Sequence, residues 1–370
     1  MTSPQNISKT AATPHIIPRS ILVFALSGIG DALMASPALC ALRNKFPDAR
    51  IELLTMFRPV AEIYRENTAI DNVLFWNFLK ENPLASLKFI LSLRKKRYDV
   101  SFMIFPANRW PYNVISRLAG AKTRLGHDYL HVNTRSLNIL NNARITEDDD
   151  LHNVEENLRL AGLLGALVPD DPVLEISVPQ PAQATASTWL AEHDIDSNTF
   201  IVGMHAGSAT FKNQINKRWS AKGYADIVRR LSKERDARIL LFGGPDEEEL
   251  NRYIADMAGG AAIVAQTPNF LMATALMQRC KLFISNDSGL MHVAAALDLP
   301  TVAIFGYTSH IHTRPWCKRA IVVRHDLPCS PCFYFSPRPA SCKWTGDDEF
   351  MCIRRISSDE VYEACAALLD

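Results

Sequence analysis

Apolar and polar residues follow one another in a recurring order along this chain. A short apolar run comes first, then a turn of small or polar residues, then a longer stretch with apolar positions three and four apart. Ile21 to Ala25 is a β-type run, Leu26 to Asp31 a glycine-rich turn, and Ala32 to Phe46 carries helical spacing until Pro47-Asp48 stops it. Arg50 to Thr55 predicts the next strand. The order continues with helices over Val60 to Glu66 and Leu84 to Leu93, strands over Val73 to Phe75 and Val100 to Phe105, and a helix over His152 to Leu164. Val168 to Ala186 holds four prolines and predicts an interdomain linker.

The second half opens as the first does. Phe200 to Met204 predicts a strand and His205 to Thr210 a turn of small residues, followed by Lys217-Arg218-Trp219-Ser220 and a helix over Tyr224 to Lys233. Ala237 to Phe242 is a strand ending in Gly243-Gly244-Pro245, and Asp246 to Glu249 starts a helix. The apolar run Lys281 to Ser285 stops at Asn286-Asp287-Ser288-Gly289. A helix to Leu297, a break at Asp298-Leu299-Pro300 and a strand over Thr301 to Phe305 follow, with a last helix over Ser357 to Leu369. The pattern predicts an α/β chain of two Rossmann-like domains facing each other across a cleft. Residues 1–20 read as a disordered tail, 21–180 as the first domain, and 181–370 as the second, with a cysteine-bearing tail.

Composition narrows the function class. A chain of 370 residues is too long for one ordinary core, and 48% hydrophobic with 21% charged residues is globular. A formal net charge of +1 gives no global field to recruit nucleic acid. Ile21 to Leu42 imitates a signal peptide, but Asp31 in its middle argues for a first strand and helix of a cytoplasmic protein instead. Eight cysteines are too few for a disulfide scaffold.

Candidate chemistry lies at the turns. Asp287 or Ser288 stands where a helix N-cap belongs, and Gly289 lets backbone N–H groups approach an anion. His292, four residues after Ser288, shares its helix face, as a phosphate-site support or as a core histidine. Gly28-x-Gly30-x-x-Leu33 nearly matches the dinucleotide fingerprint, but Leu33 replaces the third glycine and Glu52 lies inside a strand. A NAD(P)-dependent oxidoreductase is therefore the alternative function. That loop also offers Asp31, a carboxylate at a strand end or an N-cap. Glu147 to Asp150 contains a D-x-D and reads as a solvated loop after a segment, Arg144-Ile145-Thr146, that is not an apolar strand. Arg94 to Arg97 reads as a helix C-terminus with solvated cations, or as a contact for an anionic membrane. Cys329, Cys332, Cys342 and Cys352 are metal-competent by number, but only one C-x-x-C pair is present, so ordinary thiols are the other reading.

Seven stretches together resemble the bacterial heptosyltransferase family that builds the inner core of lipopolysaccharide. They are ILVFALSGIGDALMASPAL (21–39), RLGHD (124–128), HNVEENL (152–158), HAGSA (205–209), KRW (217–219), FGGPDEEE (242–249) and SNDSGLMHVAAAL (285–297). The resemblance implies a GT-B fold, with an acceptor held by the first domain and a nucleotide sugar by the second. It implies metal-independent, inverting transfer from ADP-heptose to a lipopolysaccharide core glycolipid at the inner membrane surface, with no cofactor and no metal. Asp31 matches the general base, and Lys217 with Ser208 and the turn Asp287-Ser288-Gly289 matches the diphosphate site. Arg218 is a second cation candidate there, and a plain surface charge is the competing view of Lys217. Glu247, with Glu248 as its rival, matches the acid that holds the nucleotide, and Asp287 would orient the donor sugar. Arg58, Arg109 and Arg124 carry the charge an anionic acceptor needs, unless each is simply solvated. A peripheral, monomeric enzyme is expected; a non-catalytic sugar-nucleotide-binding protein of the same fold is the remaining alternative.

Overall fold

Two six-stranded parallel sheets organise the residues described by the computed structural model, which are 16–131, 133–333 and 339–370. Residues 1–15 of the expected tail lie outside them. In the first sheet, β1 (Ser20–Ala25), β2 (Arg50–Thr55), β3 (Asn72–Phe75), β4 (Val100–Met103), β5 (Thr123–Asp128) and β6 (Ala143–Thr146) stand in the order β3-β2-β1-β4-β5-β6. Ile21 pairs with Ile51 on one side and Val100 on the other. Every residue of β1 is buried, as a central parallel strand covered on both faces by helices must be.

The second sheet repeats the design. β7 (Ile201–His205), β8 (Arg238–Leu241), β9 (Ala262–Val264), β10 (Leu282–Asn286), β11 (Thr301–Ile304) and β12 (Ala320–Val323) are ordered β12-β11-β10-β7-β8-β9. In each sheet the first and fourth strands are central neighbours, and the connections after them diverge to opposite sides. This is the Rossmann switch point, where the crevice outside the strand ends takes ligand. Gly203 in β7 is required by packing, since a Cβ there would lie 2.6 Å from the Phe283 ring.

The chain divides into two units, and Val173 begins the second. The helix Gln180–Glu192 belongs to that unit because it packs on the helix Phe270–Met277, whereas the helix Asn153–Gly162 packs on Ser36–Lys45 in the first. The expected linker therefore already contains helix.

Two local expectations need correction. Ala32 to Phe46 is not one helix: Ile29–Met34 ends, and Ser36–Lys45 starts anew with Pro37 in its first turn, where a missing N–H costs nothing. The acidic run is not a solvated loop throughout either. Arg144-Ile145-Thr146 lies in the edge strand β6, and Glu147 after it is buried and accepts from the Leu130 N–H at 2.8 Å. Burial pushes that carboxyl up to about 7, against the lowering effect of the N–H.

Candidate active site

In the second unit the site is assembled on the loops after β7, β8 and β10. β10 ends at Asn286, and Ser288 caps the helix Gly289–Ala296, its hydroxyl accepting from the Met291 N–H at 3.4 Å. Of the two N-cap candidates the structure selects Ser288. Asp287 beside it is buried and pairs with Lys217, Nζ to Oδ2 at 2.7 Å. Burial pushes the Asp287 carboxyl up, but the Lys217 charge and hydrogen bond, the Thr308 hydroxyl and His292 outweigh it and leave it below the usual range. Lys217 is thus a mostly buried partner rather than a plain surface charge.

His205, the last residue of β7, joins two of these loops. Its Nδ1 lies 2.8 Å from the Ser288 hydroxyl and its Nε2 3.0 Å from Glu247 Oε2. A carboxylate only accepts, so Nε2 carries the proton and Nδ1 faces the hydroxyl. Glu247 also accepts from the Gly244 N–H at 3.0 Å and lies 3.4 Å from Arg218. Burial raises the Glu247 carboxyl; His205, Gly244 and Arg218 together take it below its ordinary value. Glu248, by contrast, bonds Gln266 and Arg252 on the surface. The geometry thus separates the two glutamates and brings Glu247 to the crevice.

Glu247 lies against the Gly207 backbone so closely that a Cβ at that position would overlap its carboxylate. Arg218 closes the circuit, donating to the Ser208 carbonyl at 2.9 Å and to its hydroxyl at 3.3 Å. The buried Ser208 hydroxyl in turn donates to the Gln214 carbonyl at 2.9 Å. Beneath the loops, buried Asn286 donates to the Ala206 and Gly207 carbonyls at 2.7 and 3.2 Å and accepts from the Trp219 N–H at 3.0 Å.

His292 is buried behind the cap. Burial, only partly opposed by Asp287, pushes its pKa down to about 4, and Lys217 lowers it further. At neutral pH it is an uncharged ring near enough to feel both charges of the Lys217–Asp287 pair.

In the first unit, Asp31 occupies the first turn of Ile29–Met34 after β1. The N-cap position is Gly28, so capping does not account for Asp31. Its charge acts on Tyr112 and Tyr129, whose hydroxyls burial pushes up and Asp31 pushes further. Arg109, which ends the loop after β4 and precedes the helix Trp110–Ala119, has its guanidinium 5.9 Å from the Tyr112 ring and opposes the shift on that residue. Asp31 and Arg109 therefore stand on the two loops of this sheet's switch point. Arg58 is exposed at the start of Arg58–Arg65 after β2, 5.7 Å over the Phe75 ring. Arg124 is elsewhere. It is the second residue of β5, level with Ser101 at the N-terminal ends of the strands, and its guanidinium donates to the Leu140 and Ala121 carbonyls at 2.8 and 2.9 Å, which ties loops together.

Sequence reasoning passed over His205 and Asn286. Both end a central strand beside the switch point, and asking which polar side chains close those two strands would have found them. Among the described residues no group of three or more His, Cys, Asp or Glu side chains could hold a metal ion. Cys329, Cys332, Cys342 and Cys352 are free thiols around a cavity of about 90 Å³.

The arrangement offers a diphosphate a capped helix N-terminus and two cations, and offers a nucleoside a half-buried carboxylate. Residues 86–338 match the family described as glycosyltransferase family 9 (heptosyltransferase). Lipopolysaccharide heptosyltransferase 2 of Salmonella typhimurium is 28% identical over 322 residues, covering 82% of this chain and 87% of the relative. Lipopolysaccharide heptosyltransferase 3 of Escherichia coli is 26% identical over 305 residues, covering 79% and 85%. The solved structure of E. coli ADP-heptose LPS heptosyltransferase II superposes with a TM-score of 0.71 at 22% identity, covering 95% of this chain and 98% of that one.

Proposed function

Because the chain belongs to glycosyltransferase family 9 (heptosyltransferase) and is a glycosyltransferase of GT-B fold, we propose that it transfers heptose from ADP-heptose to a lipopolysaccharide core acceptor. The observation that carries this is the joining of Ser288, His205, Glu247 and Arg218 beside the Lys217–Asp287 pair at one switch point. The family match also takes away the ground of the oxidoreductase alternative.

The transfer is inverting. An acceptor hydroxyl attacks the anomeric carbon, the bond to the diphosphate oxygen breaks, and ADP leaves from the opposite face. Asp31 takes the hydroxyl proton as general base, and Arg109 and Arg58 meet anionic groups of the acceptor. Ser288 and Gly289 present the helix N-terminus to the diphosphate, and Lys217 and Ser208 stand beside it, with Arg218 holding the Ser208 loop. These groups supply positive charge where other transferases use a divalent ion, so transfer is metal-independent and needs no cofactor. Glu247 accepts from the ribose hydroxyls, and Asp287, its charge balanced by Lys217, orients the sugar hydroxyls. His292, neutral and buried, supports the turn. The enzyme works as a monomer on the cytoplasmic face of the inner membrane.

Calorimetric titration with ADP, UDP and GDP, followed by their sugar conjugates, tests the donor. Preferential ADP and ADP-heptose binding is expected; preference for UDP or GDP would leave a family 9 glycosyltransferase but remove heptose from the reading.

A further inference from the structure

The helix Pro83–Lys95 of the first unit carries an apolar stripe on its outer side. Ile90 and Leu93 face the core, while Leu84, Leu87 and Leu91, at helical spacing on one face, are 71%, 41% and 42% exposed. Leu79, in the loop that leads into this helix, is 73% exposed. The loop follows β3 and the helix starts there, so the stripe begins at the sheet edge that also carries Asp31.

Charge surrounds the stripe. Residues 80–97 hold six basic side chains against the single acid Glu81, in a chain whose net charge is +1. Lys96 is spoken for by buried Glu52 at 2.8 Å, but Lys80, Lys88 and Lys95 are exposed on or beside the stripe. Leucines ringed by lysines suit a partner that is apolar inside and anionic outside. A second copy suits it badly, because a two-fold contact would set these lysines against themselves.

We propose that this face is where the protein docks on an anionic phospholipid bilayer, the stripe entering the acyl boundary and the lysines meeting headgroup phosphates. No helix among the described residues is long and apolar enough to cross a membrane, so the contact is peripheral. The proposal rests on the transferase reading only for its purpose, which is to bring the Asp31 edge to a lipid-linked acceptor.

Co-sedimentation of the full chain with vesicles that contain no glycolipid tests it. Binding to vesicles of phosphatidylglycerol and phosphatidylethanolamine is expected, with about tenfold less on phosphatidylcholine alone. The variant L84S/L87S/L91S should keep the parent's helical circular dichroism spectrum and lose vesicle binding about tenfold or more. Reversing Lys80, Lys88 and Lys95 to Glu touches only exposed side chains and should cost about fivefold per residue, with loss of the salt dependence. Equal binding to neutral vesicles, unchanged binding of the triple-serine variant, or binding only after an acceptor glycolipid is added would overturn the proposal. So would a concentration-dependent dimer that the triple-serine variant abolishes. Failure of heptose transfer would leave the vesicle result standing, and the reverse holds equally.

Discussion

Lys217 and Asp287 form an ion pair at 2.7 Å with both side chains largely withdrawn from water. Each neutralises the other beside a helix N-terminus, so the Asp287 carboxylate is no obstacle to the diphosphate proposed to bind there. A buried charge left without its partner costs about 3–5 kcal/mol. Lys217→Met should destabilise the second unit by about that amount, and Lys217→Met/Asp287→Asn should recover most of it in urea denaturation. The double variant should still lack ADP affinity, which separates the folding role of the pair from its binding role.

Asp31 stands in the first turn after β1 without capping the helix. Asp31→Asn should lower transfer by about 10² to 10⁴ while ADP binding, measured by calorimetry, stays as it is. Near-normal turnover would take the base role from it.

Gly207 and Glu247 are in such close approach that a methyl group would occupy the carboxylate's place. Gly207→Ala should therefore expel Glu247 from its contacts with His205 and Arg218. A charged hydrogen bond is worth about 1.5–3 kcal/mol, so ADP affinity should fall about tenfold or more. Adding Glu247→Ala to that variant should cost little further, because the interaction is already gone.

His292 and Glu147 tilt the pH dependence of stability in opposite directions. The His292 pKa is about 4 when folded against 6.5 when unfolded, so the unfolded chain takes up its proton first. Its contribution is complete above pH 6.5 and is lost as pH falls towards 4, about 2 kcal/mol between pH 7 and 5. His292→Gln should remove that slope. Glu147, raised to about 7 from 4.5, acts the other way: its contribution is present below pH 4.5 and is lost as pH rises to 7. Glu147→Gln keeps an acceptor for the Leu130 N–H and should flatten that decline; denaturation midpoints at pH 5, 6 and 7 check both.

Strand–turn–helix order, a capping turn at Asp287-Ser288 and the equivalence of the two halves are local properties, legible because apolar spacing and turn residues write them into short windows. The site network is not local. His205 meets Ser288 across 83 positions and Glu247 across 42, so no window contains the contact. Glu147 misled for the opposite reason: its neighbours are solvated acids, and only the Leu130 backbone and the fold above it reveal that it is buried. Arg124 carries the charge an anionic acceptor needs, but charge says nothing about which end of a strand a residue occupies. The break at Ser36-Pro37 was visible, yet helical spacing on both sides of it ran together.

The repeated strand order has one more consequence. Asp31 and Arg109 follow the first and fourth strands of one sheet, and Gly207 and Asp287 follow the first and fourth strands of the other. Each crevice draws its side chains from its own unit, over its own core. With the donor bound to the second unit and the acceptor to the first, as proposed, choice of what is given and choice of what receives it fall on separate, exchangeable modules. A hybrid joined near Val173 would inherit one preference from each parent.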